Sequence, residues 1–346
     1  MKALFLAGGK GTRLRPLTDK VPKPMVPVMG EPLLKRSIEK AKTHGVREVV
    51  LSTCYRADYF ANYFRSVNPG VKLRFITEES PLGTGGAIKN AQPFFDSPFL
   101  VFNADIVSDI DYRKMWEFHK EKKADVTIAV TYVEDPTAYG VIEFDDEGFV
   151  RTFKEKPKPH EVTSHYINAG IYIFEPHVLE AIPAGRPVSV ERETFPRLLE
   201  EGKRIAIYRG SRYWIDLGTP EKYIGIHQDI FAGRFAMPGA DFRREQLAGL
   251  RKAKVDKTAV LRGPVYLGAN VRVGAGAVVG PNVVIGANSV IGEKCIVENS
   301  ILWENVDLEG NCRVSGSIIT AGCSVPYGRK VTGRIYTDTV QEHTAV

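Results

Sequence analysis

Cysteine is scarce: Cys54, Cys295, Cys312 and Cys323 are the only four in 346 residues. They form no Cys-x-x-Cys pair and have no partnering histidines, which argues against both a zinc site and a disulfide framework. No apolar run could span a bilayer, and Leu4–Ala7 is too short for the core of a signal peptide. A reducing cytoplasm and no membrane partner are therefore expected. Dense basic runs interleaved with aromatics are also missing, so nucleic acid is not an expected partner. The 47 basic and 41 acidic residues leave a net charge of +6, a modest attraction for small anions. Histidine is absent between His227 and His343, which denies that whole stretch the commonest catalytic base.

What remains is an ordinary soluble composition, 43% hydrophobic and 25% charged, in a chain long enough for two domains. Up to about residue 235, short apolar runs alternate with helical stretches. Strand patterns fall at 48–52, 72–77, 99–102 and 126–132; helical ones at 33–43, 58–66, 85–90 and 112–123. Such alternation predicts an α/β fold with a mostly parallel sheet covered on both faces. Ligands of such sheets bind beyond the carboxyl ends of the strands. From 139 to 217, longer alternating segments at 140–144, 149–154, 167–174 and 205–208 predict added, partly antiparallel strands, with helices near 194–201 and 220–233.

From residue 255 the period becomes six. Val255, Leu261, Leu267, Val273, Val279, Ile285, Ile291 and Val297 recur at that spacing, many followed by glycine. After a slip the register resumes at Leu308, Val314 and Thr320. Hexapeptide repeats of this kind build a parallel β-helix with the aliphatic side chains stacked inside. The expected divisions are residues 1–236, a linker at 237–254, the β-helix at 255–330 and a tail at 331–346.

The chemistry concentrates in the loop after the first strand. Gly8, Gly9 and Gly11 let backbone N–H groups approach anionic oxygens, and Arg13 and Arg15 carry permanent charge. Lys23 lies between two prolines whose rings fix the local backbone. The loop lacks the Gly-Lys-Ser/Thr of a Walker motif, and Leu14 replaces the third glycine of a dinucleotide fingerprint. It is hardware for a polyphosphate.

The full string Leu-Ala-Gly-Gly-x-Gly-Thr-Arg-Leu-x-Pro-Leu-Thr, with Pro-Lys-Pro-Met downstream, resembles the signature of the sugar-1-phosphate nucleotidyltransferases. Glu78 to Ala87 resembles that family's base-reading loop, and Asn103-Ala104-Asp105 its first metal carboxylate. Tyr139-Gly140-Val141, Glu155-Lys156-Pro157 and Asn168-Ala169-Gly170 resemble its sugar-phosphate contacts. Trp214 to Glu221 resembles its second metal carboxylate and the following helix start. A β-helix and the stretch Glu-Arg-Glu-Thr-Phe-Pro place the chain nearest the mannose-1-phosphate guanylyltransferase branch.

The resemblance implies a doubly wound, Rossmann-like mixed sheet followed by a left-handed parallel β-helix. It also implies transfer of a nucleotidyl group from an NTP to a sugar 1-phosphate. Arg13 and Lys23 would be catalytic. Leu6, Ala7, Gly8, Gly9, Gly11, Thr12, Arg13, Glu78, Gly83 and Thr84 would bind nucleotide. Gly140, Glu155, Lys156 and Asn168 would bind the sugar phosphate, and Asp105 and Asp216 would hold Mg²⁺. The nucleophile is already ionised near neutral pH, so no general base is required, in keeping with motifs that lack histidine.

A carboxylate at Glu78 suits the two adjacent donors of guanine, whereas an amide suits thymine or uracil. GTP and mannose 1-phosphate are the expected substrates, with thymidylyl, uridylyl or adenylyl transfer to glucose 1-phosphate as the alternative. A silent regulatory paralogue is disfavoured because Arg13, Lys23, Asp105 and Asp216 are all present. A hexapeptide acyltransferase is disfavoured because the β-helix has no histidine. An exposed β-helix end points to a homo-oligomer, a dimer or tetramer.

Overall fold

The strand Lys2–Leu6, buried through Ala3, Leu4 and Phe5, pairs in parallel with Glu48–Thr53 on one side and Phe99–Asn103 on the other. In the computed structural model, which describes residues 1–236, 241–338 and 343–344, this strand is central to a nine-stranded mixed sheet. The main path runs Val150–Glu155, Gly140–Phe144, Tyr166–Phe174, Phe99–Asn103, Lys2–Leu6, Glu48–Thr53, Lys72–Thr77. Val126–Tyr132 joins antiparallel to Tyr166–Phe174, and Ile205–Tyr208 pairs with it in parallel. Tyr166–Phe174 also runs antiparallel to Phe99–Asn103, the point at which the sheet changes direction. The α/β expectation holds, with helix limits displaced by at most a turn. The helix placed at 85–90 begins at Gly83, and the one placed at 194–201 spans Phe195–Glu200 after a π-turn at Val190–Thr194. Phe99, Phe174, Phe195 and Tyr172 are fully buried in the core. Each contributes roughly 1.5–3 kcal/mol of apolar burial.

Compactness divides the chain out of sequence order. One unit comprises Met1–Lys10 and Ser37–Asp216, which carries this sheet; the other comprises Gly11–Arg36 and Leu217–Val346.

In the second unit, three parallel ladders stack the strands from Lys254 to Tyr336, the geometry of a parallel β-helix. Successive coils are first 18 residues apart, as in Val278↔Ile296, and then 17, as in Ile296↔Arg313. One five-residue side per coil explains the slip after Val297: the inward stack passes to Leu302, Leu308 and Val314. A second short side corrects the sequence register at its end. Ile319, not Thr320, takes the inward place, followed by Val325 and Val331. Val255 and Leu261 also depart from the expectation. Both are more than a third exposed, because the first coil has no coil before it.

Asparagines turn several corners of the coils: Asn270, Asn282, Asn288 and Asn299 have φ near +50° to +60°, a conformation that asparagine tolerates. Their amides form ladders, with Asn270 donating to Asn288 at 3.1 Å and Asn282 to Asn299 at 3.0 Å. Cys295, Cys312 and Cys323 are buried as free thiols in this core.

Within the stretch expected to be a linker, a helix forms over Phe242–Lys252, capped by Asp241. Gly249 packs so closely on the Leu267 carbonyl that a Cβ there would overlap it. The ladders continue past residue 330 through Lys330–Thr332 and Arg334–Tyr336, and His343–Thr344 adds an antiparallel strand. Residues 237–240 of the linker and 339–342, 345 and 346 of the tail lie outside the described residues. Among the described residues, no helix is long and apolar enough to cross a membrane.

Candidate active site

The first unit holds most of the expected site, with Leu6–Gly9, Glu78 and Asp105 at or just beyond the carboxyl ends of parallel strands. Leu6 ends the first strand opposite Ser52 and Asn103; Ala7 N–H then donates to the Ser52 carbonyl at 2.8 Å. Gly8 follows where the chain has little room. A Cβ there would meet Cys54 Cβ and Glu78 Oε1 at 3.3 Å, so glycine lets the loop lie against the Glu78 carboxylate. Gly9 and Lys10 are exposed.

Glu78 is buried, and each oxygen already holds one donor of the chain. Oε1 accepts from Ser52 Oγ at 2.9 Å and Oε2 from Leu82 N–H at 2.9 Å. A carboxylate has about four acceptor positions, so two directions stay available. The glycines that follow have a packing reason of their own. Gly83 has φ +67°, and a Cβ on Gly83 or Gly85 would press on Val188. Gly85 N–H donates to the Val188 carbonyl and Val188 N–H to the Leu82 carbonyl, each at 2.8 Å.

A two-stranded antiparallel ladder pairs Trp214–Asp216 with Ile106–Ser108, setting Asp216 opposite Ile106. Asp105 lies in the turn directly before Ile106, one residue along the chain from the ladder partner of Asp216. Asp216 is 7% exposed and accepts from the Tyr139 hydroxyl at 3.2 Å. Tyr139 meets the Trp214 ring edge-on, and Trp214 Nε1 donates to the Ala169 carbonyl at 2.9 Å. Among the described residues no three His, Cys, Asp or Glu side chains gather as a metal cage.

The Gly140, Glu155 and Asn168 segments meet on adjoining strands. Gly140 is the ladder partner of Glu155, and a Cβ on it would come within 2.8 Å of Glu155 Oε2. Burial, reinforced by the charge of Glu191, raises the Glu155 carboxyl above its ordinary pKa, against the opposing pull of Lys156 and Arg192. Lys156 has φ +51°, its N–H donates to the Tyr139 carbonyl, and its ammonium lies 3.9 Å from Glu155. At that range, on a side chain more than half exposed, this is no tight ion pair. Asn168 sits where the Tyr166–Phe174 strand breaks register. Its Oδ1 accepts from Gly170 N–H at 2.9 Å and its Nδ2 donates to the Tyr172 hydroxyl at 2.8 Å.

The remaining expected residues belong to the second unit. Gly11 has φ +64° and caps a short turn, Thr12–Leu14, on which Thr12 and Arg13 are exposed. A Cβ on Gly11 would stand 2.9 Å from Lys23 Cβ, so glycine here brings the loop and the Pro-Lys-Pro segment together. Thr18 Oγ1 ties the turn by donating to the Gly11 carbonyl at 2.8 Å. Arg15, also considered for phosphate, is ion-paired with Asp19 at 3.3 Å. Beyond Lys23 the chain is clamped: Arg36 donates to the carbonyls of Val28 and Met29, and Met29 N–H donates to His227 Nε2.

Sequence reasoning passed over Tyr139 and Trp214 as side chains, as well as Ser52, Tyr172 and Glu191. Tyr139 and Trp214 stood inside motifs already marked, so their aromatic character was the available signal. Ser52 and Tyr172 read as ordinary strand residues.

A family model described as nucleotidyl transferase matches residues 2–233, and one described as the GMPPB C-terminal domain matches residues 253–345. A mannose-1-phosphate guanylyltransferase of Mycobacterium tuberculosis is 40% identical over 273 residues, covering 78% of this chain and 74% of its own. The catalytic subunit beta of that enzyme from Drosophila pseudoobscura pseudoobscura is 39% identical over 228 residues; the chain spans only 60% of its length. A UTP–glucose-1-phosphate uridylyltransferase of Synechocystis is 33% identical over 79% of this chain and 75% of its own. Among solved structures, HddC from Yersinia pseudotuberculosis, complexed with GMP-PN, superposes with a TM-score of 0.58 at 34% identity. That match covers 66% of this chain and 99% of HddC.

Proposed function

The chain belongs to the nucleotidyl transferase family, and from that premise we infer that it transfers guanylyl from GTP to mannose 1-phosphate, forming GDP-mannose and pyrophosphate. The supporting observation is the fixed, buried Glu78 carboxylate against the Gly8 loop, in the unit that also holds the Asp105–Asp216 pair. Guanine presents N1–H and its 2-amino group side by side, and Glu78 has acceptor capacity to spare for both.

A phosphate oxygen of the sugar 1-phosphate attacks the α-phosphorus of GTP. The bond from that phosphorus to the bridging oxygen breaks, and pyrophosphate departs with the electron pair. The attacking oxygen needs no base, since a phosphomonoester is largely doubly ionised at neutral pH. Alignment of two polyanions and neutralisation of charge are the chain's tasks.

In this reading Leu6, Ala7 and the N–H groups of Gly8, Gly9, Gly11 and Thr12 cradle the nucleotide. Arg13 holds the departing pyrophosphate and Lys23 the α-phosphate. Gly83 and Thr84 complete the base side. Gly140 leaves room for Glu155, which with Asn168 bonds the sugar hydroxyls, while Lys156 faces the sugar phosphate. Asp105 and Asp216 are donors suited to Mg²⁺, which takes one or two carboxylates and completes its shell with phosphate oxygens and water. When bound, the ion supplies charge neutralisation on the phosphates.

Assembly of copies into a dimer or tetramer belongs to the same proposal, supported by the exposed Val255, Val260 and Leu261 at the first coil. So does residence in the cytoplasm, supported by the free thiols.

The test is pyrophosphate release with Mg²⁺, crossing GTP, UTP, dTTP and ATP with mannose and glucose 1-phosphates. Preferred turnover of GTP with mannose 1-phosphate is expected. Preference for UTP and glucose 1-phosphate moves the chain to the activity named for the Synechocystis relative. No turnover with any pair overturns the proposal.

A further inference from the structure

The Glu-Arg-Glu-Thr-Phe-Pro run opens on Glu191, a carboxylate with no role in the reaction described above. It lies on the π-turn Val190–Thr194 and receives three hydroxyl groups. Thr84 Oγ1 and Ser189 Oγ each reach its Oε2 at 2.9 Å, and the Tyr172 hydroxyl reaches Oε1 at 3.4 Å.

The proton directions are fixed by the other partner of each hydroxyl. Thr84 Oγ1 accepts from Val190 N–H at 2.9 Å, Ser189 Oγ accepts from Arg192 N–H at 3.2 Å, and the Tyr172 oxygen accepts from Asn168 Nδ2 at 2.8 Å. Nitrogen donors cannot accept in these bonds, so every hydroxyl proton points to Glu191. Asn168 is oriented by the same logic: Gly170 N–H requires the amide oxygen on its side, which sends Nδ2 toward Tyr172. Tyr172 is fully buried, and burial followed by the charge of Glu191 raises its hydroxyl well above the ordinary pKa, keeping it a donor.

We propose that Glu191 is a positioning residue that couples the two substrate subsites, fixing Thr84 on the base side and, through Tyr172, the amide of Asn168 on the sugar side. The inference rests on the assignment of Thr84 and Asn168 to those subsites. One carboxylate thus sets both ends of the site to a single geometry.

The experiment is steady-state kinetics of the full chain as wild type, Glu191→Gln, Tyr172→Phe and the double variant, with circular dichroism to confirm folding. Glutamine retains one acceptor oxygen, and the side with two incoming hydroxyls claims it. Its amide then faces the Tyr172 hydroxyl, which already holds the Asn168 donor and loses its acceptor. Glu191→Gln is therefore expected to raise KM for the sugar phosphate by roughly three- to tenfold while leaving KM for the nucleotide within about twofold. Tyr172→Phe should do the same, and the double variant should show no further loss, because both changes cut one chain of bonds. Glu191→Ala should raise both KM values.

Equal changes in both KM values for Glu191→Gln, or losses that multiply in the double variant, overturn the coupling. A wild-type chain that turns over no substrate pair overturns the functional proposal instead, so the two failures are distinguishable.

Discussion

Trp303 donates its indole N–H to the Tyr223 hydroxyl at 3.0 Å, and that hydroxyl donates onward to the Pro27 carbonyl at 2.6 Å. A β-helix coil is thereby wired, through the helix Pro220–Phe231, to backbone four residues beyond Lys23. Tyr223 is fully buried and Trp303 nearly so, which makes every unpaired atom in this chain of bonds costly. Trp303→Phe should destabilise by about 1–3 kcal/mol, the cost of leaving a buried group unsatisfied together with lost packing. Tyr223→Phe should cost more than the lost bond alone, since it orphans both the indole N–H and the Pro27 carbonyl. Urea denaturation of the two variants checks the order.

His227 provides a pH test in the same unit. Met29 N–H can only donate, so Nε2 accepts; Nδ1 carries the proton and donates to the Tyr223 carbonyl at 2.9 Å. The ring is neutral by construction, and burial lowers its pKa from 6.5 to about 4. A folded-state pKa below the unfolded value means that the unfolded chain binds the proton first. The stability held above about pH 6.5 should therefore be lost progressively as pH falls toward 4, by about 3 kcal/mol in total. His227→Gln should flatten that part of the stability profile, measured by thermal melts across pH 4–8.

Base choice is tested at Glu78. Glu78→Gln presents an amide to the base, mismatched to the paired donors of guanine and better suited to uracil or thymine. The ratio of kcat/KM for GTP to that for UTP or dTTP should fall by tenfold or more, about 1.4 kcal/mol of discrimination. An unchanged ratio removes Glu78 as the base reader.

Metal dependence is tested at Asp216. Chelation should abolish turnover and added Mg²⁺ restore it. Asp216→Asn keeps an oxygen for the Tyr139 hydroxyl but removes the charge. It should lower kcat/KM by roughly a hundredfold or more, in line with several kcal/mol from a bound cation. It should also raise the Mg²⁺ concentration needed for half-maximal rate.

Periodic features were legible in the sequence because they depend on neighbours along the chain. The helix at Leu33–Thr43 and the strands at Lys72–Thr77 and Val126–Tyr132 fall where the apolar spacing placed them. The hexapeptide stack from Leu267 to Val297 did so too. Period alone cannot say where a solenoid ends, and so Val255 and Leu261 were placed inside a stack that does not cover them. The short side before Ile319 moves the inward place by one residue, from Thr320 to Ile319, a shift that a fixed period of six does not anticipate. Within the candidate site, Gly8 and Gly11 were read as anion-binding residues. Their nearest neighbours add a steric reason, Glu78 for one and Lys23 for the other, that lies 70 and 12 residues away in sequence. Glu191 escaped for a similar reason: its partners Thr84 and Tyr172 are brought to it only by the folded sheet.

The discontinuous second unit has a consequence for how the protein comes into being. Residues 11–36, with the signature turn and Lys23, belong to the same compact unit as residues 217–346. During synthesis the first strand and most of its sheet emerge before Tyr223 and His227, which clamp Pro27 and Met29, exist. The signature segment is therefore translated among the first residues of the chain and secured only after the residues that follow Asp216 have been made.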